Sequence, residues 1–301
     1  MPATTSPLLD VACYRVLATY DSGDGVRGAV FNKVITLLNS RLLEHQFDIN
    51  LPHNWYRFGD EVVPLELPRQ IRFAPRDADI PRTTFRWEGE APSLESIPEW
   101  KQRRIGDELA RIKEEFGTQK VDLESIVDEV YDEAPFEFQK KYLSLRRRVE
   151  ERQSWSLVSD VIPGIIMPSF LDMVPTFPVG DFPELGPLFK RYVRLAKFSL
   201  ERGALQTFES LNQAFWYGFC YFLRIHPRGH FNVSQRRLDA WRDAANEYAR
   251  SLGPTLTRIA EEMVADLGIQ LDPWERAKFV GAHWGVPPSS SSTEVDSVVY
   301  R

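Results

Sequence analysis

The ten residues AFWYGFCYFL, positions 214–223, carry no charge and leave no side of a helix polar. A membrane span needs about 20 such residues. The run therefore fits a helix buried at the centre of a folded domain, with other helices covering it on every face. Those partners are legible nearby, because residues 188–201, 205–225, 235–252, 255–267 and 273–283 repeat apolar side chains at helical spacing. Residues 185–285 accordingly read as an α-helical bundle. Phe215, Trp216, Phe219, Tyr221 and Phe222 read as its core rather than as a cofactor pocket.

The first half has a different grammar. Residues 8–20 place Leu9, Ala12, Val16 and Tyr20 on one helical face, and residues 26–43 place Val30, Val34, Leu37 and Leu38 likewise. DSGDG at 21–25 punctuates the two. LPHNWYRFGDEVVP, residues 51–64, then reads as a hairpin: an aromatic strand at 54–58, a turn at Gly59 and Asp60, and a return strand at 61–63. Helix, helix, hairpin is the order of winged-helix modules and also of plain protein-binding scaffolds. Residues 64–98 are rich in proline and arginine, which breaks helices and confines strands such as 83–87 to edges or short hairpins. Helical patterns return at 99–116, 121–131 and 136–152.

The expected fold is mainly α: a winged-helix-like α+β domain with a β-hairpin and a helical extension over 1–153, then a proline-rich apolar connector over 154–184. The all-α helical bundle follows over 185–285, and a serine-rich, disordered tail over 286–301.

Forty-three acidic against 37 basic residues give a formal charge of −6, so no global field draws the chain onto nucleic acid or an anionic membrane. Cys13 and Cys220 are too few for a disulfide framework or a cysteine zinc site. The N-terminal segment lacks a basic region followed by an unbroken apolar core, which fits neither a signal peptide nor a membrane anchor. A cytoplasmic protein without membrane association is expected.

Phosphate-binding loops, dinucleotide-binding glycine patterns, nucleophile elbows and zinc-protease helices do not occur. The five histidines do not pair with carboxylates at helical metal-ligand spacing. No cofactor and no metal site are expected, and the balance leans away from an enzyme. Three sets of residues remain as site candidates. Arg27, Lys33, Arg41 and Arg57 are spaced to offer a phosphate-contacting face to DNA. Trp55, Tyr56 and Phe58 can serve a protein partner, although strand alternation sends Trp55 and Tyr56 to opposite faces. Arg224 and His230, in RIHPRGHFNVSQRR, concentrate guanidinium and imidazole near a helix end.

That last spacing resembles the Arg-x(4–6)-His pattern of HEPN-type ribonucleases, which are also small helical bundles. The resemblance implies His230 at the scissile phosphodiester and Arg224 holding phosphate charge. The blocks GVRGAVFNKVITLLNSRLLEH, LPHNWYRFGDEVVP and VDLESIVDEVYDEAPFEFQKKYLSLR resemble two further groups. One is an archaeal, chiefly haloarchaeal, family with an LPHxWYRxGxxVV block, over residues 8–150. The other is the Panacea-type antitoxin domain, in which a helical xxKLQKLxY segment precedes a YGP turn. Asn32-Lys33-Val34 correspond to the first signal and residues 56–59 to the second, with Asp60 in place of the proline. The antitoxin likeness implies binding and neutralising a protein partner, with the helical half as a specificity or effector module. The expected function is thus a non-enzymatic interaction or regulatory protein, the alternatives being a HEPN-like ribonuclease and a winged-helix DNA-binding regulator.

Overall fold

The computed structural model describes residues 6–21, 23–57, 59–74, 83–117, 121–151 and 162–270. The predicted helix at 273–283 and the serine-rich tail lie outside these residues. The chain divides into two compact units, one formed by Met1–Pro135 with Leu223–Arg242, the other by Phe136–Phe222 with Asp243–Arg301. Most described residues are helical, and the strands form two small antiparallel sheets.

In the first unit α1 (Pro7–Tyr20) starts on a proline, whose missing N–H costs nothing at a helix start. The next helix, α2 (Gly28–Glu44), is the unit's axis. Its residues Val30, Phe31, Val34, Ile35, Leu37, Leu38 and Leu42 are all buried, because apolar side chains fall on nearly every side of it. Three strands, β1 (Val26–Arg27), β4 (Ile71–Ala74) and β5 (Thr84–Trp87), make one sheet in the order β1-β5-β4. β5 is central, paired antiparallel with β1 and β4; of the edge or short-hairpin placements that its proline-rich setting suggested, the edge is not the one taken. No proline falls within it, so both of its edges can pair. Phe85 on β5 packs against Phe31 with ring centroids 4.5 Å apart.

The hairpin β2 (His53–Tyr56) and β3 (Gly59–Val62) forms a second sheet, in the order β3-β2-β6, with β6 (His230–Phe231) supplied from far along the chain. Two helices complete the unit. α3 (Glu99–Phe116) buries the stripe Ile105, Leu109, Ile112 and Phe116. α4 (Leu123–Asp132) begins on Asp122, whose side chain caps it by accepting from the Ser125 N–H at 3.2 Å.

The second unit has no strand among its described residues. It contains α5 (Glu137–Glu151), α6 (Ile162–Met173), α7 (Gly186–Glu201), most of α8 (Leu205–Leu223) and the rest of α9 (Gln235–Asp266). The stretch 154–184, expected as a connector, contains a full helix in α6, and Ile166, Phe170 and Met173 are buried there. Residues 235–252 and 255–267, expected as two helices, are one. Pro254 lies inside this helix, and next to it the Arg191 guanidinium and the Thr257 hydroxyl both donate to the Gly253 carbonyl at 3.1 Å, while the Thr255 hydroxyl donates to the Ser251 carbonyl at 2.8 Å.

Candidate functional site

The polar chemistry of the first unit gathers on the β3-β2-β6 sheet. Tyr56 pairs with Gly59 and His53 with Val62, so the hairpin turns before Gly59 and not at Gly59 and Asp60, which belong to β3. Gly59 serves a different need. Its φ is +93°, and a Cβ there would stand 2.8 Å from the Tyr131 ring and 3.0 Å from Lys33 Nζ, so only glycine admits this approach.

The register brings His53 and Asp60 together. His53 Nδ1 lies 2.8 and 2.7 Å from the two carboxylate oxygens of Asp60, and both residues are buried. The carboxylate is acceptor-only, so Nδ1 carries the proton and the ring is fixed in orientation. Phe231 of β6 stacks on the imidazole at 4.7 Å and 14°. Lys33 reaches across from α2 and donates from Nζ to the Asp60 carbonyl at 2.8 Å. Burial pushes the Lys33 ammonium below its usual range, and nearby Glu61 and Asp60 push it back up. Arrangements of this kind can orient an imidazole for proton transfer. Here they also close the hairpin onto α2.

Residues 223–242 are bound to this sheet by backbone and side chain alike. The Trp55 N–H donates to the Gly229 carbonyl at 2.8 Å, and Asn232 Nδ2 to the Leu51 carbonyl at 3.3 Å. Ser234 donates twice to Glu66, from its N–H at 3.0 Å and its hydroxyl at 2.5 Å. The Arg224 guanidinium lies over the rings of Tyr56 (4.9 Å) and Trp241 (5.1 Å), while that of Arg57 lies over Tyr56 at 5.2 Å. His230 pairs with Asn54. Since Asn54 and Tyr56 are two residues apart on one strand, Arg224 and His230 converge on the same sheet face. His230 sits in a strand, and its pKa is lowered by burial and then by the charge of His226.

The other predicted sets are scattered. Arg27 is exposed on β1, but Lys33 is buried. Arg41 is held by Glu115 at 2.5 Å and Glu129 at 2.8 Å. With α2 enclosed on nearly all sides, these residues and Arg57 share no open face. Of the aromatic trio, Trp55 is in the core, edge-on to Tyr131 at 5.5 Å, and Tyr56 is half-buried. Phe58 lies outside the described residues. Both cysteines are buried, and burial followed by the charge of Asp10 pushes the Cys13 thiol up.

Sequence reasoning passed over a second feature, the exposed ring of Trp100 on α3. It is 61% accessible and borders a surface groove of about 320 Å³ lined also by His45, Phe47, Arg103, Arg104 and Asp107. The available signal was phase: Trp100 stands five residues before Ile105, about 140° away from the buried stripe.

Among the described residues no helix is long and apolar enough to cross a membrane, and no group of three or more His, Cys, Asp and Glu side chains is placed to hold a metal ion. No protein-family model, curated protein or solved structure matches the chain.

Proposed function

We propose that this is a non-enzymatic, cytoplasmic interaction and regulatory protein that binds a protein partner, in the manner its antitoxin-like blocks imply. The observation that carries this reading is how the central polar groups are spent. Lys33, His53 and Asp60 bond to one another or to hairpin backbone inside the fold, and Trp55 is packed beneath them. Their hydrogen-bonding capacity goes into fixing a surface rather than into meeting a substrate. The helix, helix, hairpin order then acts as a winged-helix-like docking scaffold. It does not read DNA through its second helix, which is enclosed. Purified protein is expected to turn over no RNA across structured and single-stranded substrates, with and without divalent metal. Turnover would sink the reading.

One observation favours a second reading, a HEPN-like ribonuclease. Arg224 and His230 stand near the same face of β2. That reading predicts turnover abolished in Arg224→Ala and His230→Ala variants that retain their helical circular dichroism.

A further inference from the structure

α3 presents an unusual surface. Tryptophan side chains normally bury most of their area, yet Trp100 keeps 61% accessible while the neighbouring Phe47 ring, 5.9 Å away, is almost fully covered. The Lys101 ammonium lies 5.4 Å from both ring centroids, so a cation is already held at the edge of the aromatic floor.

The charge around the groove is unevenly matched. Glu108, with a side chain only 3% exposed, is approached by three basic groups, Arg111 at 3.0 Å and Arg104 and His45 at 3.5 Å. A single carboxylate balances one of the two guanidiniums, which leaves positive charge on the rim. Arg103 pairs with Glu99 at 2.7 Å, but both side chains are well exposed, so the bond is weak and exchangeable. Among the described residues Asp107 is the sole carboxylate lining the groove, against Arg103 and Arg104. On a chain of net charge −6 this is a local reversal of sign.

We infer that the Trp100 groove docks an acidic segment of a partner protein, with an apolar side chain of that segment seated on the exposed Trp100 ring and flanking carboxylates meeting Arg103, Arg104 and Lys101. Tryptophan and arginine are the residues that most often dominate association energies. The inference rests on the protein-binding reading above and adds where and what the chain binds.

The test uses the full chain and a fluorescein-labelled peptide in which leucine–phenylalanine pairs alternate with glutamates. Two comparison peptides carry lysine for every glutamate, or serine for every leucine and phenylalanine. Fluorescence anisotropy is expected to show binding of the acidic apolar peptide alone, in the range of about 10–100 µM, weakening as salt rises. Trp100→Ala and, separately, Arg103→Glu are each expected to weaken it about tenfold. Both positions are exposed, and unchanged unfolding temperatures verify that the variants fold. The inference is overturned if the lysine peptide binds as well as the acidic one, if no peptide binds, or if Trp100→Ala binds like the parent protein. The last outcome would leave protein binding standing at another surface, whereas RNA turnover by the same preparation would remove the underlying reading itself.

Discussion

The two units solve the problem of a stable interior by different chemistry. The second is an aromatic interior. Phe138 is fully buried and meets Phe177, Phe189, Phe215, Trp216 and Phe219 with ring centroids 5.0–6.4 Å apart, and Tyr142 lies flat on Trp216 at 3.9 Å. Its few buried polar groups are satisfied close by, as where the Tyr192 hydroxyl donates to Asn212 and the Ser199 hydroxyl to the Ala196 carbonyl at 2.8 Å. The first unit instead buries Lys33, His53, Asn54, Asp60 and Glu108. Apolar packing is undirected and tolerant, whereas buried charge is stable only in one arrangement. The contrast places shape-holding in the second unit and directional specificity in the first.

The sharpest way to break that contrast is to remove its largest part. Phe138→Ala deletes a ring with no solvent exposure, and a loss of about 4–5 kcal/mol is expected. Calorimetry should show an unfolding temperature lower by about 10 °C or more. A loss near 1 kcal/mol would mean that the cluster repacks freely.

The polar centre should answer differently. Asp60→Leu leaves the His53 N–H without its acceptor, and His53→Leu leaves a buried carboxylate without its donor, each at a cost of about 3 kcal/mol. Replacing both, as His53→Leu with Asp60→Leu, is expected to cost clearly less than the two single losses added together. Urea midpoints of the four proteins give the coupling. Strictly additive losses would show that the pair is not a unit.

What the sequence could reveal follows the same division. The enclosed aromatic helix was legible because AFWYGFCYFL has no polar side, and α2 and α3 because their apolar residues repeat at helical spacing. The hairpin was legible as a hairpin, but its turn was misplaced. Gly59 and Asp60 have turn chemistry, and a glycine required by the approach of Tyr131 looks the same in sequence as one required by a turn. β6 had no local signal at all. It is two residues long and pairs with a strand far earlier in the chain, the pairing of His230 with Asn54 and of Phe231 with His53 being set only by the fold. The His53–Asp60 pair was hidden for the same reason, since seven residues of separation become 2.7 Å only once the register of β2 and β3 is fixed. The proline-rich stretch misled in the opposite direction. Proline at a helix start or within an apolar, well-packed helix such as α6 is tolerated when tertiary contacts offset the lost bond.

The smallest expected effect concerns acid. All four histidines among the described residues belong to the first unit. His230 has a pKa lowered from 6.5 by burial and by His226. The folded chain therefore takes up this proton less readily than the unfolded chain. Stability is complete above the unfolded value and declines as pH falls below about 6.5 toward the lower folded value. Because His230 is half-exposed, solvent screens much of the effect, and the decline is modest. His230→Asn should flatten the dependence of the urea midpoint between pH 7 and pH 5. Phe138→Ala should lower the midpoint by a similar amount at both pH values, since rings do not titrate. If His230→Asn leaves the slope unchanged, the imidazole is solvated in solution and β6 does not enclose it. If Phe138→Ala becomes strongly pH-dependent, the aromatic interior is coupled to ionisable groups, and the division between a shape-holding and a directional unit fails.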